Sequence, residues 1–471
     1  MRHLSFLLLF TVLVTTLSIS AKTVINVEFP GSGGRKAMLW TYADLVSFRE
    51  KIAGETVAGR DGKFSFTIYN KDIIPVRIQV EFFRIDLYVE PDKEYVIKIA
   101  EVDMSKREFY PKTIVGYLTP QFTILKPEGK ELNSELEKAN EIFAGFYDTA
   151  YIYLYQSRLP KTALDNFTAK VDSFRKATPS DFVKKHIDIQ ITQLRMLLRQ
   201  TGSQAIVNEY FTGDKILYND KIYMDFFNSF WSRYLLVSLR GLRYGQLDSV
   251  INNTGSYYAL TRLIENDPLL KDPKVRELVI LRNMLEMYNN RRFNKSSIQD
   301  ILSDIAANGV SPENKKIAVN IRKMLMQYDN SKAPEFLLPG FDGEEYNLES
   351  FKGKYIYLSV WNEKCPDCLA EMDFEKELFM DFDDVIYFVS VYVGPDTAAA
   401  GKIIREREYE WTQLYYNEDF MFLKNYNVEL FPYYILIDKN GHIEWYPAKK
   451  PSENFSDYFI EMLNKKKGNL K

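Results

Sequence analysis

The sequence predicts a multi-domain chain: an all-β sandwich-like region, an all-α helical region, and a compact α/β domain at the C-terminus. Three features carry that prediction. Apolar residues recur at every second position from Lys22 to about Gly129, then every third or fourth from about Glu131 to Asn330. Beyond that point, strand and helix patterns alternate within about 140 residues. The expected boundaries are 22–129, 130–330 and 331–471, preceded by a distinct segment at 1–21. With 471 residues at 46% hydrophobic, the chain has more apolar material than one core holds. Lys+Arg 61 against Asp+Glu 64 gives a net charge of −3, which argues against nucleic acid or an anionic membrane as partner. Aromatics at 15% exclude wholesale disorder.

Residues 1–21 begin with a cationic Arg2, continue with an apolar run from Leu4 to Leu17, and end in small residues up to Ala21. This is the pattern of a cleavable secretory signal, since the apolar run is shorter than the roughly 20 residues of a spanning helix. The alternative is an uncleaved N-terminal anchor. No cysteine follows the run, so a thioether-linked lipid anchor is not available, and no other stretch is apolar enough to span a bilayer. The expectation is a soluble exported protein, periplasmic or otherwise in the cell envelope, with no membrane span after signal cleavage.

In the β region, Phe64, Phe66 and Ile68 alternate with polar residues. So do Val76, Ile78, Val80 and Phe82, then Ile85, Leu87 and Val89, then Tyr95, Ile97 and Ile99. Turn signals at Asp61-Gly62 and Pro91-Asp92 separate these runs, predicting an antiparallel sandwich or small barrel. In the helical region, Leu132, Leu136, Ala139, Phe143, Tyr147, Ala150 and Leu154 form one apolar face before Pro160 breaks the pattern. Tyr223, Phe226, Phe227, Phe230, Trp231 and Tyr234 predict an aromatic-rich helix facing the core. Ser311-Pro312 reads as an N-cap followed by proline at the first helical position, with Ile317, Ile321, Met324, Leu325 and Tyr328 on one face.

The C-terminal region is read as a strand at Tyr355–Trp361, an amphipathic helix, a strand at Val385–Val391 and a helix at Thr397–Glu408. A strand at Tyr433–Ile437, a turn at Asn440-Gly441, a short strand to Trp445 and a helix bearing Phe455, Phe459 and Met462 complete it.

The chain has two cysteines, Cys365 and Cys368, in Trp361-Asn362-Glu363-Lys364-Cys365-Pro366-Asp367-Cys368. With a strand ending at Trp361 and a helix starting near Cys365, the first thiol sits where unsatisfied backbone N–H groups favour a thiolate. Cys368, one turn later, reaches that sulfur but faces the protein body. This assigns Cys365 as the attacking thiol and Cys368 as the resolving one, with exchange through a mixed disulfide. Lys364 favours the thiolate and Asp367 opposes it. A zinc site would need two more ligands from His186 and His442, which lie on segments not expected to converge, so no metal is expected. An inert disulfide is the other alternative, although so small a loop stabilises little.

Residues 333–471 resemble the TlpA/ResA-type thioredoxin-like disulfide oxidoreductases. The resemblance rests on Ala-Pro-Glu-Phe at 333–336, Gly343 with Asn347-Leu348, Lys352-Gly353-Lys354, Cys365 to Cys368, and Glu371-Met372. Tyr426 to Pro432 and Leu436 to Gly441 match as well. The β-then-helical region resembles the accessory part of larger members, without a diagnostic motif. The resemblance implies a thioredoxin-like fold, no cofactor, and a Pro432 in the cis form that presents the Phe431 backbone to an extended polypeptide, with Trp361 also at the substrate face. It implies disulfide-containing exported proteins as substrates and a membrane thiol donor for re-reduction. Glu371 becomes a candidate for proton transfer near Cys368, or else a solvated helix carboxylate, while Lys364 and Asp367 are candidates for pKa tuning.

Several positions depart from the family. Ser359 stands where thioredoxins carry a buried aspartate, Lys364 replaces a common tryptophan, and Phe431 is bulkier than the usual residue before the proline. Met372 and Asp373 stand where many relatives have a proline shortly after the second cysteine. The expected function is a protein-disulfide reductase. The alternatives are a binding or scaffold protein with a redox-silent thioredoxin-like domain, and a thiol peroxidase. The peroxidase reading lacks its proline and threonine, since Leu358 and Asn362 occupy those positions.

Overall fold

A computed structural model describes residues 21–468, apart from 82, 103–117, 156–160, 214, 240–242, 244, 289, 291, 327–330 and 429. The expected signal segment before Ala21, the positions of Phe82, Pro160, Tyr328 and Glu429, and the boundary at 330 lie outside the described residues.

The alternating runs form β1 (Lys22–Glu28), β2 (Lys36–Tyr42), β3 (Glu50–Val57), β4 (Lys63–Tyr69), β5 (Ile74–Val80), β6 (Phe83–Val89), β7 (Glu94–Ile99) and β8 (Phe122–Lys126). They pair as two four-stranded sheets, ordered β4-β1-β7-β8 and β3-β2-β5-β6. The inward residues of both, among them Ile25, Phe66, Ile78, Leu87 and Ile97, share one buried cluster, which makes this region a sandwich. The expectation of an all-antiparallel arrangement is corrected at one pair: β1 and β7 run parallel, with Ile25 beside Tyr95. The turn at Pro91-Asp92 carries the chain from β6 in one sheet to β7 in the other, so no hairpin dictates the direction of β7 against β1.

The helical region comprises α1 (Leu132–Tyr155), α2 (Lys161–Ala177), α3 (Asp181–Leu197), α4 (Ser203–Tyr210), α5 (Lys221–Phe230) and α6 (Tyr234–Val237). It continues through α7 (Gln246–Thr254), α8 (Tyr257–Ile264), α9 (Pro273–Met287), α10 (Lys295–Asn308) and α11 (Pro312–Met326). The aromatic stripe is core, as expected, but it is not one helix. Helix α5 ends at Phe230, Trp231 caps it, and Arg233 turns the chain at φ 53° before Tyr234 opens α6. Ser311 caps α11 by accepting the Asn314 N–H at 3.1 Å. Two buried clusters form here: one around Leu132, Phe143, Phe167 and Ile187, the other around Phe226, Trp231, Leu278 and Ile301. The second cluster also receives Leu45 and Val46, from the loop joining β2 and β3 of the sandwich.

The C-terminal domain begins with a short hairpin, β9 (Leu337–Pro339) and β10 (Glu345–Asn347). It continues through β11 (Tyr355–Trp361), α12 (Pro366–Phe382), β12 (Ile386–Tyr392), α13 (Thr397–Arg407), β13 (Thr412–Tyr415), α14 (Phe420–Asn425), β14 (Tyr433–Ile437), β15 (Ile443–Trp445) and α15 (Phe455–Gly468). The sheet order is β13-β12-β11-β14-β15, with β11 parallel to β12 and antiparallel to β14. Every residue of β11 is buried, as expected of a central strand covered on both faces, and Ser359 is the one small polar residue in its otherwise largely apolar run. The hairpin, β13 and α14 escaped the sequence reading, being three to six residues long and too short to show a period.

Candidate active site

Strand β11 delivers the chain to the redox pair. At its end, Asn362 is fully buried; its amide donates to Val393 O at 2.7 Å, and its Oδ1 accepts the Lys364 N–H at 2.9 Å. Those two bonds shape the turn into Cys365, which is the N-cap of α12, with Pro366 at the first helical position where its missing N–H costs nothing. The Cys368 N–H donates to Cys365 Sγ at 3.1 Å, so the sulfur occupies the position a capping oxygen usually takes.

Cys365 and Cys368 form a disulfide, with Cα atoms 5.2 Å apart. The structure therefore shows the oxidised form. Both residues are buried, at 1% and 0% exposure. Lys364 and Asp367, on either side of the first cysteine, are exposed. Glu363 is turned toward β12, where it accepts the Tyr392 hydroxyl at 2.8 Å. Burial and that carboxylate together push the Tyr392 phenol up, so it stays a neutral donor.

The register of β14 on β11 sets Tyr433 opposite Val360, which places Pro432 at the level of Trp361, where the chain leaves the sheet for the cysteines. The Phe431–Pro432 peptide is cis. Phe431 is buried and Leu430 before it is 54% exposed, the apolar side chain at this corner that solvent reaches. Trp361 is buried, its ring tilted against Tyr392 with centroids 5.2 Å apart. As the chain stands, that ring offers no exposed face to a bound polypeptide. Glu371 is held by Ser452, whose hydroxyl donates at 2.6 Å and whose N–H donates at 3.1 Å, so its carboxylate is tied to the segment before α15.

Sequence reasoning missed two residues. Asn362 was weighed only as the place of an absent threonine. Glu375 was not singled out at all, although it follows Cys368 by seven residues and so shares its helix face with Met372. Glu375 is fully buried, with Ser359 Oγ and Tyr434 OH each 3.4 Å from its carboxylate oxygens. Ser359 in turn meets Ser390 Oγ at 2.7 Å, and Ser390 accepts the Trp411 indole N–H at 2.6 Å. Desolvation pushes the Glu375 carboxyl well above the usual carboxylate range, with the Ser359 and Tyr434 hydroxyls opposing that in part.

Residues 329–459 match the Redoxin family model. The chain is 30% identical over 115 residues to the thiol-disulfide oxidoreductase ResA of Geobacillus kaustophilus, covering 24% of this chain and 66% of that protein. It is 23% identical over 129 residues to the ResA of Bacillus thuringiensis subsp. konkukian, covering 27% of this chain and 74% of that one. The chain thus spans just under two thirds of the Geobacillus protein. Among solved structures, it is similar to the thioredoxin domain of a thiol-disulfide oxidoreductase from Bacteroides vulgatus, with TM-score 0.27, 24% identity, and coverage of 28% of this chain and 96% of that one. It is also similar to a thiol:disulfide interchange protein from Bacteroides sp., with TM-score 0.27, 25% identity, and coverage of 28% and 90%. All of these matches cover the C-terminal domain's share of the length and leave most of the chain unmatched. The C-terminal domain accordingly matches the Redoxin family over residues 329–459, and the chain is similar over a comparable length to thiol-disulfide oxidoreductases named ResA.

Proposed function

We propose that the protein is an exported thiol–disulfide oxidoreductase acting on protein disulfides. The observation that carries the reading is the disulfide itself, set at the N-terminus of α12 with Cys368 N–H donating to Cys365 Sγ. When the pair is reduced, that N–H and its neighbours at the helix end favour a thiolate on Cys365. The thiolate attacks a substrate disulfide, forming a mixed disulfide and releasing one substrate sulfur as a thiolate that takes a proton. Cys368 then attacks Cys365 Sγ, breaking the mixed disulfide, releasing the second substrate thiol and restoring the Cys365–Cys368 bond. The substrate gains two electrons and two protons, and a dithiol donor must return the pair to its reduced form. In this reading the donor is a membrane thiol protein, and the substrates are disulfide-containing proteins of the cell envelope.

Pro432 and the Phe431 backbone, beside the end of β11, would pair with an extended substrate segment, with Leu430 as an apolar contact. Because Cys365 is buried in the oxidised form, exchange requires its cover to shift when substrate arrives. Among the described residues no helix is long and apolar enough to cross a membrane, which is compatible with a soluble envelope protein.

The test is a Cys368→Ser trap expressed with the native leader. Mixed disulfides through Cys365, absent from the Cys365→Ser chain, are expected in the exported fraction. Finding none while a control oxidoreductase yields adducts would overturn the reading.

A second reading, a binding or scaffold protein, draws on one observation. A cleft of about 1390 Å³ lies between the sandwich and the helices, lined by Trp40, Arg77, Tyr88, Asn133, His186 and Lys221, and among the described residues none of the C-terminal domain lines it. An unchanged phenotype in the Cys365→Ser chain would favour this second reading.

A further inference from the structure

Among the described residues of the C-terminal domain, Glu375 is the one fully buried carboxyl group, and exchange as described above does not use it. It lies on the core side of α12, at 0% exposure, and among the described residues no cation pairs with it. A carboxyl group in such a place is normally tolerated only as the neutral acid or with strong hydrogen-bond support. Its two neighbours stand on the two strands that lead to the redox corner: Ser359 two residues before Trp361 on β11, and Tyr434 two residues after Pro432 on β14. Seven residues of helix set it about 10 Å along α12 from Cys368, on the same face. Met372, which is buried, lies between them on that face.

We propose that Glu375 is a positioning residue for the redox pair: it holds one proton whose uptake is coupled to reduction of the Cys365–Cys368 disulfide. The inference rests on the exchange reading only for its biological use, because the coupling is a property of the two sulfurs and the carboxyl. Reduction by a dithiol donor moves two electrons to the disulfide and leaves the donor as a disulfide. The two sulfurs then carry either two protons or one proton and a thiolate charge. A thiolate at the N-terminus of α12 and an ionised Glu375 buried on the core side of the same helix disfavour each other. In the reduced protein, Glu375 therefore keeps its proton over a pH span in which the oxidised protein has released it. At an effective dielectric of about 20, a unit charge about 10–15 Å away, the span of helix from Glu375 to the two cysteines, displaces an ionisation by about one pH unit.

The other groups facing Glu375 do not supply this effect. Glu371, one turn nearer the cysteines, is bound to Ser452 and adds a fixed repulsion. Tyr434 and Tyr357 have phenols pushed far up by burial, so both remain neutral. Glu453, beyond Tyr357, accepts the Lys450 N–H. Ser390 and Trp411 do not titrate.

The test is the midpoint of disulfide reduction in dithiol redox buffers from pH 5 to 10, read by tryptophan fluorescence, for the full chain and for Glu375→Gln. The wild-type potential is expected to fall more steeply than that of the variant, by one proton per two electrons, over a span of about one pH unit. Above that span the reduced form of Glu375→Gln is expected to be favoured about tenfold relative to wild type. Parallel plots across the whole range would overturn the proposal, whether or not the pair exchanges with protein substrates. If Glu375→Gln does not fold, Tyr434→Phe serves. Removing that donor moves the steep span to higher pH, and a span that stays in place, or a wild-type plot that lacks one, overturns the proposal equally. Failure of the trap with a positive result here would remove the exchange function and leave the coupling intact.

Discussion

The side-chain amide of Asn228, in the last turn of α5, donates to the carbonyl of Leu45 at 2.7 Å, joining residues 183 positions apart in a buried contact. Leu45 and Val46 leave the sandwich between β2 and β3 and complete the larger helical core. The β region and the helical region are thereby one packed body at this point. Asn228→Ala leaves that carbonyl buried without a donor. A loss of about 1–3 kcal/mol is expected in urea unfolding followed by circular dichroism, and an unchanged midpoint would show that the contact carries no stability.

Asn362 holds the turn between β11 and the disulfide through Val393 O and Lys364 N. Asn362→Ala is expected to destabilise the C-terminal domain by about 1–3 kcal/mol and to speed reduction of the disulfide by a small dithiol, since the turn that shields Cys365 loosens. Reduction kinetics followed by thiol labelling read this directly, and a rate equal to wild type counts against a shaping role for Asn362.

His186 on α3 meets Asn140 Oδ1 at 2.9 Å, and desolvation holds its pKa down to about 4, below its ordinary value near 6.5. The folded form therefore resists the proton that the unfolded chain takes up below about pH 6.5. Stability from this group is full above that pH and is lost as the pH falls through 6.5 toward 4. Solvent reaching the partly exposed ring limits the effect to about 1–2 kcal/mol. The difference in unfolding free energy between wild type and His186→Gln, measured at pH 7 and pH 4.5, is expected to shift against wild type at the lower pH. A constant difference would exclude this linkage.

Lys424 of α14 joins the C-terminal domain to the sandwich. Its ammonium pairs with Glu50, which also pairs with Arg77, and lies 4.3 Å from the centroid of the Trp40 ring. Lys424→Met keeps the apolar stem and removes the charge. About 1–2 kcal/mol of docking is expected to be lost, seen as faster limited proteolysis between the helical and C-terminal regions. A digestion pattern identical to wild type would place the docking energy elsewhere.

Much of the site was legible because its signals are local. A largely apolar strand, two cysteines three apart, and proline just inside the helix place the cysteine pair at a helix N-terminus without any distant contact. The period of two in the β region and of three to four in the helical region likewise state which faces are buried. Where the reading went astray, a long-range choice was involved. The parallel pairing of β1 with β7 depends on which sheet the chain re-enters after Pro91-Asp92. The division of the aromatic stripe at Arg233 depends on the positive φ there, which periodicity does not report. Glu375 looks like an ordinary helix carboxylate until Ser359 and Tyr434 are seen to close over it.

By itself, the order of residues determined the three-part architecture, the core faces and the position of the dithiol, because each follows from spacing along one strand or helix. Tertiary structure alone decided that Asn362 shapes the turn and that Trp361 and Cys365 are covered. It also decided that Leu45 belongs to a helical core and that a carboxylic acid lies behind the redox pair. Those outcomes depend on which distant segments exclude water from a given side chain, and burial of that kind is a property of the packed chain rather than of any local stretch.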